Sequence, residues 1–77
     1  MKELLKTIVT PLVENPSEIS IEESENEAGE TVLSLKVASN DMGKVIGRQG
    51  RIAKAIRTVI KAAANKDNKK VVVEIVD

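Results

Sequence analysis

Three of the four glycines in the 77-residue sequence fall within one basic segment, MGKVIGRQGRIAKAI. Gly47 and Gly50 enclose two residues with long polar side chains, Arg48 and Gln49. A second arginine, Arg51, follows Gly50 directly. Glycine lacks a Cβ, so another chain can approach the backbone closely there. Arginine donates charge-assisted hydrogen bonds to anions such as phosphates. The spacing therefore predicts either a tight turn or a contact with an anionic backbone.

Known nucleotide-phosphate loops have a different glycine spacing. They read G-x-x-x-x-G-K-[ST] after a strand, or G-x-G-x-x-G within a βαβ unit, whereas this segment reads Gly43-x-x-x-Gly47-x-x-Gly50. Two interpretations remain open. In one, the glycines only form the corner between two helices. In the other, the N–H groups that begin the second helix face a sugar–phosphate backbone, and Arg48 and Arg51 bind its phosphates.

The formal net charge is zero, but the charge is divided along the chain. Residues 1–40 carry eight glutamates against three lysines, a net charge of −5. Residues 41–77 carry nine basic against four acidic residues, a net charge of +5, and no acid lies between Lys44 and Lys61. One concentrated basic element in a neutral chain predicts a local anionic partner.

Composition excludes several classes of function. The sequence has no cysteine and no histidine, which removes thiolate chemistry and the commonest general base and metal ligand. We expect no catalytic residue, no metal and no cofactor. The apolar runs are too short to span a membrane, and no signal peptide is apparent. The sequence predicts a soluble, cytoplasmic protein with an aliphatic core, since aromatic residues are absent.

Hydrophobic periodicity predicts the order α-β-β-α-α-β. Residues 2–14 have helical spacing interrupted by Pro11, where the helix should kink or restart as a last turn. Two alternating segments, 18–24 and 30–38, predict an antiparallel hairpin. Ser39-Asn40-Asp41 is typical of a helix N-cap, and the short helix that it begins should end at Gly47.

A second helix and a last strand complete the predicted order. Segment 69–76 is nearly continuously apolar, which favours a strand flanked by other strands. The helix over 51–65 should bury an apolar stripe: Ile52, Ile56, Val59, Ile60 and Ala63. Basic residues recur every three or four positions on roughly the opposite side: Arg51, Lys54, Arg57 and Lys61. That side is either a solvated face or, in its first turn, part of the anion contact.

The segment VIGRQGRIAKAI, residues 45–56, resembles the signature of the KH RNA-binding domain, whose G-x-x-G loop clamps the backbone of about four nucleotides. The element order is similar to that of type II KH domains. The resemblance covers residues 1–77 and implies a single α+β domain, with a three-stranded mixed sheet and helices packed on one face. One departure is Ala53, where the family has a large aliphatic residue. We expect Ile56 to take up the missing volume.

The resemblance implies a non-catalytic protein that binds single-stranded RNA. The implied RNA-binding residues are Lys44, Val45, Ile46, Gly47, Arg48, Gln49, Gly50, Arg51 and Lys54. Val45 and Ile46, with Leu35 or Val37, are the candidates for the apolar wall of the groove that holds the bases. Lys61 is expected to lie too far from the loop to touch the same strand. Contacts to about three phosphates predict a log–log salt slope near −2.

Weak binding by one domain would make a second copy useful. The apolar set of the helix over 51–65 is wider than one sheet needs, and its margin consists of Ala55, Val59 and Ala62. Two interpretations of this margin stay open: either it remains exposed and can pair with another domain, or Val59 belongs to the core. The resemblance implies a homodimer, or a heterodimer with a larger KH-containing protein, formed through this helix. It also implies a bacterial post-transcriptional regulator or RNA chaperone. The alternative is an interaction module in which pairing matters and RNA contact is incidental.

Overall fold

A computed structural model describes residues 1–76 and shows three helices and three strands. The elements are α1 (Lys2–Val9), β1 (Ser20–Glu25), β2 (Thr31–Lys36), α2 (Met42–Ile46), α3 (Arg51–Lys66) and β3 (Val71–Val76). This order confirms the predicted α+β arrangement. Asp77, which the expected domain included, lies outside the described residues.

The three strands form one mixed sheet in the order β1-β2-β3. β1 and β2 pair antiparallel, with Ile21 opposite Leu35, whereas β2 and β3 pair parallel, with Leu33 opposite Val73. The hairpin prediction is confirmed. The prediction that the last strand is flanked by other strands is wrong, because within residues 1–76 β3 pairs with β2 alone and is an edge strand. Its apolar run reflects packing against α3, to which Arg57 ties it.

One face of the sheet carries the core. Paired residues share a sheet face, so Leu33, Leu35 and Val73 all point toward the helices. Side chains from all three helices pack on them: Leu5, Val9, Val45, Ile56 and Ile60. The core is wholly aliphatic, as the composition predicts.

Pro11 ends the first helix as predicted. α1 stops at Val9, and a 3-10 turn over Thr10–Leu12 follows with the proline in its first residues. Proline has no N–H to donate and clashes with the preceding turn, so the α-helix cannot continue through it. The turn keeps Leu12 packed against the core.

Asp41 does not cap α2, so the expected N-cap function of Ser39-Asn40-Asp41 is wrong. Its side chain is fully buried and accepts three hydrogen bonds from the segment after α1. The backbone N–H of Glu14 donates to Oδ1 at 3.1 Å, and the backbone N–H and side-chain amide of Asn15 donate to Oδ2 at 2.9 and 3.1 Å. Asp41 therefore ties the start of α2 to a segment 26 residues earlier in the chain.

Burial by itself raises the pKa of Asp41, but the hydrogen bonds from Glu14 and Asn15 and the nearby charge of Lys44 outweigh it. The net effect lowers the pKa of this carboxyl from its ordinary value. The buried group is thus held as a carboxylate at neutral pH.

The buried stripe of α3 differs from the predicted one. Ile56 and Ile60 are buried as expected, but Ala53 and Ala64 complete the stripe. Ile52 and Ala63 are only half-buried, so these two predictions are wrong. Val59, for which the sequence left both burial and exposure open, is 48% exposed. The stripe is rotated because the small side chain of Ala53 faces the core, and no described element covers the flank that carries Val59.

Candidate nucleic-acid interface

The loop between α2 and α3 is a closed turn with left-handed backbone. α2 ends at Gly47, where φ is 75° and ψ is 175°, a region populated essentially by glycine alone. Gln49 and Gly50 follow with φ of 58° and 72°. The N–H of Gly50 donates to the carbonyl oxygen of Gly47 at 3.2 Å. The loop is therefore a tight helix–turn–helix corner, which both sequence interpretations require. The turn presents Arg48 and Gln49 outward, both exposed.

Gly47 and Gly50 differ in the space that surrounds them. A Cβ built at Gly47 would lie 2.6 Å from Cγ1 of Ile52, so the space beside this glycine is already filled from within the protein. The expectation that Gly47 opens the backbone to a ligand is corrected accordingly. A Cβ at Gly50 would meet nothing within 4 Å, so close approach by another chain is possible there.

Gly50 is also the N-cap of α3 and offers no side chain to cap it. The first N–H groups of a helix lack partners within the helix, and the helix dipole makes that end favourable for anions. The N–H of Arg51 donates to the carbonyl oxygen of Arg48. The other N–H groups of a first helical turn have no partner within the helix and can bind solvent or a ligand. No acidic residue lies in this turn, although acidic residues are the ones that the dipole stabilises there.

Three basic side chains surround this helix start. Arg48, Arg51 and Lys54 are all exposed. Over residues 1–76, none of the three forms an ion pair with a carboxylate, since both ion pairs found there belong to Lys44. Their charges add to the positive end of the α3 dipole. The site therefore combines an uncapped helix start, an open glycine and three unpaired cations.

Lys44 is placed differently from the other predicted cations. Its Nζ lies 2.8 Å from Oε1 of Glu14 and 3.6 Å from Oδ1 of Asp41. The hydrogen bond to Glu14 and the two carboxylate charges raise the pKa of Lys44 above its ordinary value. Its charge is therefore compensated within the protein, and it contributes less to a positive surface than Arg48 does.

The predicted apolar wall of the groove is mostly core. Val45, Leu35 and Val37 are buried in the hydrophobic cluster, with Val45 at 0% exposure. In this structure they offer no surface to a ligand, which corrects their expected place in the groove. Ile46 is 37% exposed and is the predicted wall residue that remains accessible next to the loop.

The margin of α3 is exposed, which decides between the two sequence interpretations of Val59. Ala55, Val59 and Ala62 are all accessible. Val59 borders an apolar groove of about 280 Å³ between α3 and the end of the first helical segment, whose other lining residues are Ile8, Leu12, Arg51, Ile52, Ala55 and Ile56. Sequence reasoning missed Ile8 and Leu12, since their helical spacing gave no sign that they stay partly accessible.

Within residues 1–76, no three acidic side chains converge as the ligands of a metal ion would. The helices of the same residues include no apolar segment of the length that a bilayer crossing needs.

The fold and the loop together define a class of protein. A three-stranded mixed sheet in α-β-β-α-α-β order, with a G-x-x-G turn between its two central helices, is the type II KH arrangement. A family model described as KhpA/KhpB, KH domain, matches residues 2–75. The chain belongs to this family.

Curated relatives match over nearly the full chain. The RNA-binding protein KhpA of Clostridium acetobutylicum is 63% identical over 76 residues, which are 99% of this chain and 100% of the relative. The RNA-binding protein KhpA of Clostridium perfringens is 59% identical over the same shares.

Solved structures show the same fold at low identity. Era in complex with MgGDPNP and nucleotides 1506–1542 of 16S ribosomal RNA matches with a TM-score of 0.64 and 19% identity, over 96% of this chain. An Era variant of Aquifex aeolicus bound to GDP·AlF4⁻ matches with a TM-score of 0.63. This chain spans 28% of each Era chain, so the likeness concerns the fold alone.

Proposed function

We propose that this protein binds single-stranded RNA without catalysing a reaction, and that the loop over residues 47–50 and the start of α3 hold the RNA backbone. The observation that carries the proposal is the first turn of α3, which has two cations, Arg51 and Lys54, and no acid. This arrangement opposes the usual preference of a helix N-terminus and concentrates positive potential where backbone N–H groups are available.

The residues of the proposed RNA contact have different roles. Arg48 and Arg51 bind phosphates, Gly50 allows the strand to approach the backbone, and Gln49 projects toward it. Gly47 fixes the turn, Ile46 supplies the apolar surface, and Lys44 has a secondary role. The full-length relatives named RNA-binding protein KhpA support this assignment. Residues 1–77 would then act as a single KH domain on cytoplasmic RNA, as a post-transcriptional regulator or RNA chaperone.

The test is a titration of a labelled single-stranded RNA pool followed by fluorescence anisotropy at several salt concentrations. The variant Arg48→Gln/Arg51→Gln removes two cations beside the loop, and Lys2→Gln/Lys6→Gln removes two exposed cations from α1 as the matched control. We expect the loop variant to bind more weakly and to lose about 1.4 from the log–log salt slope, since each phosphate contact contributes about 0.7. Equal binding by both variants would contradict an RNA site at the loop.

We also infer that two KH domains pair through the exposed margin of α3. Ala55, Val59 and Ala62 form an apolar strip beside the groove that Ile8 and Leu12 line. Small side chains allow a second helix to approach closely, and Val59 is the largest apolar surface on the strip. The partner is a second copy of this chain or a KhpB-like KH protein. Pairing adds avidity to a weak single contact.

Light scattering after gel filtration tests the pairing. Val59→Glu places a charge in the strip, whereas Thr58→Glu places the same charge on the neighbouring exposed position of α3. We expect Val59→Glu to be monomeric and Thr58→Glu to retain the mass of the unaltered protein. If all three proteins have the monomer mass, self-pairing is ruled out, and the strip must be tested against a KhpB-like protein.

A further inference from the structure

We propose that Asp41 is a positioning residue for the RNA-binding loop, an inference that rests on the RNA contact proposed for residues 47–50. The buried carboxylate of Asp41 clamps the start of α2 to the segment after α1, through Glu14 and Asn15. Because α2 leads directly into Gly47, this clamp sets the direction in which the helix presents the loop. Asp41 itself takes no part in the contact with RNA, since its side chain is fully buried.

α2 depends on other parts of the chain for its position. It has only five residues, Met42–Ile46, and a helix of this length is not stable through its own hydrogen bonds. Val45 is its buried residue, and Met42 packs against the same core cluster from one turn earlier. Apolar contacts are non-directional, so they hold α2 on the core without fixing how it is tilted. Directional bonds at its first end are needed for that, and Asp41 is the N-cap residue of this helix.

The carboxylate of Asp41 holds the earlier segment with both of its oxygens. Oδ1 accepts the backbone N–H of Glu14 at 3.1 Å. Oδ2 accepts the backbone N–H and the side-chain amide of Asn15 at 2.9 and 3.1 Å. Nζ of Lys44 faces Oδ1 at 3.6 Å. Hydrogen bonds to a carboxylate are stronger than those between neutral groups, so these three bonds fix the start of α2 against residues 14–15.

The loop needs a defined position because its two phosphate-binding cations belong to different elements. Arg48 lies in the turn after α2, whereas Arg51 begins α3. Groups that bind together must be held within about 0.5 Å of the productive geometry. At 1.5 Å per residue, Asp41 lies about 9 Å from Gly47, so a tilt of about 10° displaces the loop by about 1.6 Å. Ile52 restrains the loop from the side of α3, and Asp41 restrains it from the side of α2.

Charge and position predict opposite effects for one substitution. Asp41→Asn removes a negative charge near the loop, and electrostatics alone would then strengthen the binding of an anionic strand. The asparagine amide has one oxygen and one NH₂ group. It therefore keeps an acceptor for one of the two backbone N–H groups, of Glu14 or of Asn15, and places a donor against the other. Weaker binding by this variant thus reports a displaced loop and not a changed charge.

The experiment measures the affinity for a single-stranded RNA of about four nucleotides by fluorescence anisotropy. Circular dichroism gives the folded fraction, by which each protein concentration is corrected. Asn15→Ala is the milder second variant, because it keeps the backbone bond to Asp41 and loses the side-chain amide. Glu14→Gln is the charge control, since it removes one carboxylate and keeps the backbone donor. Ile60→Val is the stability control, since it trims the buried core on α3.

The positioning role predicts a distinct order of affinities. We expect Asp41→Asn to bind the RNA about tenfold more weakly than the unaltered protein, and Asn15→Ala about threefold more weakly. Glu14→Gln should bind more tightly, because it removes a negative charge without releasing the clamp. Ile60→Val should bind within about twofold of the unaltered protein, because its folded molecules keep the loop in place.

Two results would overturn the positioning role of Asp41. One is unchanged or tighter binding by the folded Asp41→Asn variant, and the other is an equal loss in Ile60→Val. If Asp41→Asn does not fold, Asn15→Ala decides, and an unchanged affinity for that variant overturns the role as well. In each of these cases Arg48→Gln/Arg51→Gln would still lose binding, so the proposed contact would stand. An unaltered protein that binds no RNA would refute the contact and the positioning role together.

Discussion

The side chain of Ile52 occupies the space where a Cβ of residue 47 would lie. A Cβ built on Gly47 falls 2.6 Å from Cγ1 of Ile52 and 2.9 Å from its Cβ and Cδ1. The loop and the first turn of α3 are therefore packed against each other. Since the Cβ of Ile52 moves only with the backbone of α3, this packing restrains the position of the loop relative to the start of α3.

Gly47→Ala should be much more harmful than Gly50→Ala. At residue 47 the new methyl group clashes with Ile52 in a backbone region that only glycine favours, so we expect a loss of about 3 kcal/mol or more in the free energy of unfolding. At residue 50 the space is open, and the left-handed backbone costs about 1–2 kcal/mol. Urea denaturation measures both. Ile52→Ala should relieve part of the Gly47→Ala defect, and the absence of any such rescue would argue against the contact.

Gly43→Ala serves as the opposite case. Gly43 lies inside α2, and a Cβ there would meet nothing within 4 Å. Alanine in a helix interior is favoured over glycine by about 0.5–1 kcal/mol. We therefore expect Gly43→Ala to raise the midpoint of urea denaturation, while RNA binding is unchanged. A lower midpoint would show that glycine is required at this position as well.

Adjacent residues of α3 should respond differently to truncation. Ile60 is fully buried, and Ile60→Ala should lower the free energy of unfolding by about 2–5 kcal/mol. Val59 is 48% exposed, and Val59→Ala should change it by less than about 1 kcal/mol in the monomer. Thermal denaturation at several protein concentrations tests both. A large loss for Val59→Ala even at the lowest concentration would mean that Val59 belongs to the core.

The buried carboxylate of Asp41 should make stability fall in acid. The folded pKa of Asp41 is lower than the ordinary value near 3.9, so near that pH the unfolded chain takes up a proton that the folded chain refuses. The contribution of Asp41 to the free energy of unfolding is complete above the ordinary pKa. It is lost as the pH falls through the lower pKa of the folded state. Asp41→Asn should lower the Tm at neutral pH and make the remaining loss in acid shallower.

Asp67→Asn, at the exposed C-cap of α3, is the control for that experiment. It should leave the pH profile of the Tm close to that of the unaltered protein. Parallel profiles for Asp41→Asn and the unaltered protein would contradict the assignment of the acid loss to the bonds between Asp41 and the segment at Glu14 and Asn15.

Lys44 and Arg48 should differ in their effect on RNA binding. Lys44 already faces Glu14 at 2.8 Å, whereas Arg48 has no carboxylate partner in the described part of the chain. We expect Arg48→Gln to reduce the salt slope by about 0.7, and Lys44→Gln to reduce it by less. Removal of the opposing carboxylate in Glu14→Gln should raise affinity. Equal salt slopes for Arg48→Gln and Lys44→Gln would mean that the ion pair between Lys44 and Glu14 breaks when RNA binds.

Much of the fold could be predicted because local rules govern it. Pro11 interrupts an α-helix in whose interior it would otherwise lie, alternating Leu33 and Leu35 favour a one-sided strand, and Gly47 with Gly50 favours a turn. The order of the strands in the sheet, by contrast, depends on tertiary packing and not on the local sequence. The apolar run of β3 fits either a central strand or an edge strand beneath a helix, and only the path of α2 and α3 decides between them.

The site was less predictable because its details depend on distant residues. Neither the burial of Asp41 nor the pairing of Lys44 can be inferred without knowing that Glu14 lies beside them. Likewise, the sequence does not show whether the missing Cβ of Gly47 makes room for a ligand or for another side chain of the protein. Ile52, which fills this space, was expected to face the core. The rotation of α3 that exposes Val59 depends on how closely Ala53 lets the helix approach the sheet.

The parallel pairing of β2 with β3 also has a consequence for synthesis on the ribosome. The β1–β2 hairpin is translated before β3, so one edge of β2 has no neighbour until residues 71–76 have also left the ribosome. Until then α3 lacks Val73 beneath it, and the turn at its start lacks a fixed support. The nascent chain should therefore expose an unpaired edge of β2 to chaperones until β3 can dock. The proposed phosphate contact at the start of α3 would form only after that step.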